Sequence, residues 1–362
     1  MALTQVDQGL LGTNAQYTGF KNRIINGAQV INQRNATVTA ASTYVTDRWQ
    51  VDNLTTSGAV SFAQNSTAPA GFTNSLKITV TTADAAVAAS DLVEFRQWIE
   101  GYNTADFSFG SASAGTFTIS FWVNSSVTGT YGVSFRNSAA DRVYVSTYTV
   151  NAANTWEQKT ITVAGDTTGT WLTDNGRGLG IAFCVMGGSN FQGTANAWGA
   201  TNNRTTSAQA NLLATINNTF YITGVQLEKG STATSFDYRP FGTELQLCQR
   251  YYQSINFSEA QGVYTKFGNG VAISTTQART NTFLLVKMRT YPSLVVTSTA
   301  SNYGVSVTSD IACSAVPTIN SNTNPSIATI ESTVASGLTA GNAVIAQANN
   351  NQTAYVGFNA EL

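Results

Sequence analysis

Residues 115–126 read GTFTISFWVNSS, and in them Phe117, Ile119, Phe121 and Val123 alternate with Thr118, Ser120, Trp122 and Asn124. Strand side chains point to opposite faces in turn, so this period of two sends one apolar row into a core and leaves the other row partly solvated. The same alternation recurs in Leu76, Ile78 and Val80, in Tyr131, Val133 and Phe135, and in Leu179, Ile181, Phe183 and Val185. Turn clusters separate these runs: AGDTTGT at 164–170 and TDNGRG at 173–178, where Asn175 and Gly176 can supply the positive φ of a tight hairpin. Many short strands, regular turns and little helical periodicity predict an all-β fold, a jelly-roll-like antiparallel β-sandwich.

The composition shifts at 236–252, FDYRPFGTELQLCQRYY, where Leu245, Cys248 and Tyr252 fall at i, i+3 and i+7 behind a Pro-Phe-Gly corner. That spacing predicts a short helix or tight connector. Strand signals resume in NTFLLVKM at 281–288, SLVVT at 293–297 and TAYVGF at 353–358. With 362 residues there is room for two or three domains of ~100–200 residues. The expected organisation is an N-terminal anchor segment over 1–20, the sandwich over 21–241, and a smaller C-terminal β-domain over 242–362. The polar stretch GGSNFQGTANAWGATNNRTTSA at 187–208 is long for a loop inside a compact domain, and such loops tend to carry function or to move.

Composition narrows the chemistry. Charged residues make up 10% of the chain, against about 25% in ordinary globular domains. Eighteen basic residues against nineteen acidic ones give a net charge of -1, which supplies no counterion-release drive toward nucleic acid. The sequence has no histidine, which excludes serine triads, Cys-His pairs and the HExxH zinc site, since each needs an imidazole. Three cysteines, Cys184, Cys248 and Cys313, have neither metal-ligand nor disulfide-framework spacing and read as small buried hydrophobes. No acidic spacing matches a calcium loop or a glycosidase pair; Asp166 and Asp174 flank a turn-rich segment and read as turn-stabilising. No metal and no cofactor are expected. The first residues, MALTQVDQGLLGT, lack the layout of a signal peptide, and no run approaches the ~18 apolar residues of a membrane span, so membrane insertion is not expected.

Several segments together resemble fibre-like virion proteins of bacteriophages, especially marine and cyanobacterial phages, that carry a carbohydrate-binding-module-like β-sandwich. They are TGFKNRIING at 18–27, INQR at 31–34, TDRW at 46–49, QWIEGYN at 97–103, TISFWV at 118–123, FYITGVQLEKG at 220–230, ATSFDYRP at 233–240 and ELQLCQRYY at 244–252. MRTYP at 288–292 and the final NAEL extend the similarity more weakly. The resemblance implies a virion protein of the tail-fibre or capsid-decoration kind, exposed on the particle and commonly trimeric, of a family seldom assigned a chemical activity; the expected function is binding of host-surface glycan without catalysis. Two alternatives stay open: a capsid decoration or head fibre with no external ligand, and a polysaccharide depolymerase working through paired carboxylates.

Of six tryptophans, Trp49, Trp98 and Trp122 lie in strand segments and read as packing residues. Trp171 after a turn, and Trp198 with Phe191 in the long loop, are the ligand-contact candidates. Arg23, Arg34 and Arg48 could form buried or interfacial ion pairs with Glu100 and Glu228, because guanidinium binds carboxylate bidentately. Open sandwiches expose edge strands, and scarce charge leaves few means of guarding them. A closed ring of subunits would cover those edges, so a homotrimer is expected, with Leu3, Val6, Leu10 and Leu11 gripping a neighbouring subunit, a tail adaptor or the capsid.

Overall fold

The computed structural model describes residues 20–55, 57–255 and 263–362. Leu3, Val6, Leu10 and Leu11 lie outside the described residues. The described chain divides into two units, one formed by residues 20–30 and Ala36–Pro240, the other by Ile31–Asn35 and Phe241–Leu362.

The first unit contains β1 (Thr43–Thr46), β2 (Trp49–Leu54), β3 (Ala59–Asn65), β4 (Ser75–Thr82), β5 (Leu92–Glu100) and β6 (Phe117–Ser125). It continues with β7 (Gly129–Arg136), β8 (Val143–Val150), β9 (Glu157–Val163), β10 (Arg177–Gly187), β11 (Trp198–Gly199) and β12 (Thr219–Lys229). Seven strands form one sheet, ordered β1-β2-β5-β10-β7-β8-β11, and five form the other, ordered β3-β4-β12-β6-β9. The chain passes repeatedly between the two sheets, and every ladder is antiparallel. This is the all-β, antiparallel class that the alternation predicts.

The inner rows of both sheets form one core. Phe117, Ile119, Phe121 and Val123 of β6 are fully buried, as are Leu76, Ile78, Val80, Tyr131, Val133, Phe135, Leu179, Ile181, Phe183 and Val185. Aromatic rings knit the layers edge-to-face: Phe121 meets Phe183 at 5.0 Å and 78°, and Phe117 meets Phe135 at 5.0 Å and 70°. Each such ring contributes about 1.5–3 kcal/mol by burial alone. The stretch over 187–208 folds down on the seven-stranded sheet, with Arg204 and Thr205 buried. Gly132 makes room for it, since a Cβ there would stand 2.6 Å from Thr205 Oγ1.

The second unit contains α1 (Phe241–Gln249), β13 (Tyr252–Ile255), β14 (Lys266–Ala272), β15 (Gln277–Phe283), β16 (Ser293–Val296) and β17 (Tyr303–Ser306). Then come β18 (Asp310–Ala312), β19 (Thr318–Ile319), β20 (Ile327–Thr333), β21 (Ala343–Ala348) and β22 (Val356–Asn359). They make a three-stranded sheet, β13-β22-β16, and a seven-stranded one, β18-β17-β21-β14-β15-β20-β19. The expected helix forms over Leu245 and Cys248, with Cys248 fully buried, but it ends at Gln249, and Tyr252, the i+7 position, opens β13 instead. The strand expected over 281–288 instead spans Gln277–Phe283, and Phe283 and Leu285 are exposed. Its buried row is Ala278, Thr280 and Thr282, small and hydroxylated residues that send no hydrophobic signal. Ile31–Asn35 joins this unit through Arg34, whose guanidinium lies 3.7 Å from the centre of the Tyr252 ring and pairs with Glu361 at 3.1 Å.

All three cysteines are buried, and burial pushes the Cys313 thiol up to about 11. No described helix is long and apolar enough to cross a membrane.

Candidate functional site

The structure brings Trp171 and Trp198 together and leaves Phe191 apart. Their rings meet at 5.5 Å, nearly perpendicular, beside Phe109 at 4.8 Å from Trp171 and Tyr144 at 5.3 Å from Trp198. Both indoles are half-buried against the core. Their N–H groups are committed to backbone, Trp171 donating to the Thr168 carbonyl at 3.2 Å and Trp198 to that of Ala164 at 2.8 Å. Asp166 fixes the adjoining turn. Burial pushes its carboxyl up, but the paired N–H groups of Arg142, both at 2.7 Å, and the Thr168 N–H outweigh that and hold it below the usual range. This corner is a packed aromatic seam. Phe191 sits in a turn whose backbone carbonyl accepts from the N–H groups of Arg204 and Thr205, and it helps fold the long loop down.

A larger aromatic surface lies on the outer face of the five-stranded sheet. Trp122 and Tyr221 alternate with the fully buried Phe121, Val123, Phe220 and Ile222, so both rings point away from the core. Trp122 stands opposite Thr223 and Tyr221 opposite Asn124. Trp156 adjoins Tyr221 at 6.2 Å, and Lys77 Nζ lies 5.6 Å from the centre of the Tyr221 ring. Beyond Trp122 comes a trio, Phe72, Phe236 and Tyr238, with centroids 4.8–5.6 Å apart. Gly224 joins the two groups. It takes φ +61 at a bulge in β12, and a Cβ there would stand 2.6 Å from Phe72 Cζ and 3.1 Å from Trp122 Cδ1.

Tyr238 is 59% exposed and donates its hydroxyl to the Gly71 carbonyl at 2.8 Å; burial raises its pKa, so the phenol stays neutral at physiological pH. Thr79, Asn124 and Gln158 stand among or beside the rings. Thr223 Oγ1 is buried and has no hydrogen-bond partner among the described residues. Flat half-buried rings interleaved with donors and acceptors suit a ligand with apolar faces and polar edges. Trp122, read as a packing residue, is half-buried: the alternation of residues 115–126 puts its ring on the outer row.

The other expected residues divide. Arg23 pairs with Asp106 at 2.9 Å and Arg34 with Glu361, while Arg48 donates to the Trp98 carbonyl at 2.5 Å. Glu228 accepts from the Thr234 N–H and hydroxyl and from Gln226. Across the outer face of the seven-stranded sheet, Asp52 and Glu94 stand opposite one another, both bound by Arg96, and Glu94 also meets Arg204 at 3.0 Å. Guanidinium groups thus occupy the paired carboxylates. Among the described residues no cluster of three or more His, Cys, Asp or Glu could hold a metal ion.

No protein-family model matches the chain, and no curated protein matches it. Solved structures do. The enzymatically active domain of tailspike protein 4 of bacteriophage CBA120 aligns over 58% of this chain and 21% of its own, at 14% identity and a TM-score of 0.31. A Bacteroides thetaiotaomicron protein described as a candidate sugar-binding protein aligns over 58% of this chain and 100% of its own, at 12% identity and a TM-score of 0.32. The family 11 carbohydrate-binding module of the Clostridium thermocellum cellulase Lic26A-Cel5E aligns over 55% and 97%, at 13% identity and a TM-score of 0.28. The chain therefore matches about a fifth of the tailspike domain's length. At these scores the sandwich stands on its own strand order and core.

Proposed function

We propose that this chain is a glycan-binding virion protein of a bacteriophage, tail-fibre-like and exposed on the particle, which binds host-surface glycan and does not cleave it. The observation that carries the reading is the aromatic band on the outer face of the five-stranded sheet, Trp156, Tyr221, Trp122, Phe72, Phe236 and Tyr238. Sugar rings present apolar C–H faces that stack on such rings, while Lys77, Asn124 and Gln158 can meet their hydroxyls. Binding without cleavage fits the occupation of Asp52 and Glu94 by arginines, because glycoside hydrolysis needs one carboxyl available as acid and another as base or nucleophile. The virion setting is supported by the eight segments that resemble phage fibre-like proteins, and a homotrimer by the need to cover sandwich edges.

The test is calorimetric titration of neutral and charged soluble glycans from host envelopes against the full chain and against Trp122→Ala. Removing one aromatic anchor should weaken binding by about tenfold or more. A panel in which no glycan binds, or in which Trp122→Ala binds as wild type, overturns the reading. Electron microscopy of virions tests the setting, with density for three copies per attachment point as the expected result.

A further inference from the structure

The outer face of the seven-stranded sheet carries a second constellation, on the opposite layer from the aromatic band. Strand register places Trp98 of β5 opposite Gly180 of β10, and Gly180 opposite Arg136 of β7. The Trp98 ring lies across Gly180, where a Cβ would come within 2.6 Å of it. The guanidinium carbons of Arg136 and Arg177 lie 5.0 and 5.1 Å from the centre of that ring. Unlike Arg96 and Arg204, which hold Glu94, neither of these two arginines pairs with a carboxylate among the described residues.

Arg136 is 6% exposed, and its guanidinium donates to Asn202 Oδ1 at 3.3 Å. Among the described residues its Nε has no acceptor, nor has the hydroxyl of fully buried Ser134, two residues earlier on the same face. A buried donor without an acceptor is costly to keep, and the Nε of Arg136, on the same Trp98 ring as the exposed guanidinium of Arg177, marks a place prepared for an acceptor that carries negative charge. The planar guanidinium fork matches the oxygens of a carboxylate or sulfate.

We propose that Arg136 and Arg177 receive an anionic group borne on a sugar, a uronate carboxylate or a sulfate ester, with the Trp98 ring holding both guanidinium groups in place. The site adds charge selectivity to the chain, and it stands or falls separately from the aromatic band on the other sheet. The experiment titrates the full chain with polygalacturonate, dextran sulfate, neutral dextran and sodium sulfate. Its variants are Arg177→Gln, Arg136→Gln and, as a charge control, the exposed Lys287→Gln. Arg177 is exposed, so its replacement removes little besides its contact with the Trp98 ring and serves as the test even if Arg136→Gln fails to fold. Polygalacturonate or dextran sulfate should bind better than neutral dextran, and the stronger of the two identifies the group. Arg177→Gln should weaken that binding by about tenfold, with Lys287→Gln unchanged. Equal binding of dextran, equal loss in Lys287→Gln, no loss in Arg177→Gln, or sodium sulfate binding as tightly as the polymers, an adventitious ion only, would each overturn the proposal.

Discussion

Gly224→Ala couples the backbone of β12 to the aromatic band, and its cost can be worked from the geometry. At φ +61 an L side chain crowds its own carbonyl, a penalty of roughly 1–2 kcal/mol. The new Cβ would stand 2.6 Å from Phe72 Cζ and 3.1 Å from Trp122 Cδ1, and displacing well-packed rings costs about 1–3 kcal/mol more. The stiffer unfolded chain returns about 0.4–1 kcal/mol. The net expectation is a loss of about 1–4.5 kcal/mol. Gly199→Ala is the control: nothing lies within 4 Å of a Cβ there, and its stability should stay within about 0.5 kcal/mol of wild type. Urea denaturation followed by tryptophan fluorescence suits the comparison, because all six tryptophans belong to the first unit and the signal reports on it alone. A Gly224→Ala midpoint equal to wild type, or an equal shift in Gly199→Ala, would refute the reasoning.

Phe183→Ala removes a fully buried ring packed on Phe95, Phe121 and Trp49 and should destabilise the first unit by about 3–5 kcal/mol in the same assay. Trp198→Ala opens the half-buried seam and should lower stability while leaving glycan affinity unchanged; a comparable fall in affinity would move the binding site to that corner. Arg34→Ala removes the guanidinium between Tyr252 and Glu361 and should cost the second unit roughly 3–5 kcal/mol, read as faster amide exchange in β13 and β22. Burial pushes the Glu157 carboxyl up, but Lys159, the N–H groups of Ala152 and Asn151 and the Asn151 side chain outweigh it and hold the pKa at about 2. Its stabilisation is therefore complete above the unfolded value of ~4.3 and is lost as pH falls through the folded one, so the Tm gap between wild type and Glu157→Gln at pH 6 should vanish by about pH 2.

The strands of the first unit are legible because a period of two is a local signal: residues 117–123 announce their core row without knowledge of the opposing sheet. The same alternation puts Trp122 on the outer row, but its neighbours Tyr221, Trp156 and Phe72 come from distant segments, so the pattern of any one segment does not reveal the band. The loop setting of Trp171 and Trp198 suggests exposure, whereas the backbone carbonyls that bind their N–H groups belong to a turn whose path only the folded chain defines. The strand Gln277–Phe283 escapes the hydrophobic pattern because its buried row is Ala278, Thr280 and Thr282. The apolar run that draws the eye, Phe283 to Val286, instead begins at the strand's last residue, where Phe283 and Leu285 are exposed.

The most direct measurement is a crystal structure of the chain soaked with a host-derived oligosaccharide that binds in solution. Sugar rings stacked on Trp122 and Tyr221, with hydroxyls bonded to residues such as Asn124 or Gln158, are the predicted result. Oligosaccharide density only at the Trp171–Trp198 corner, or only on the second unit, would contradict it.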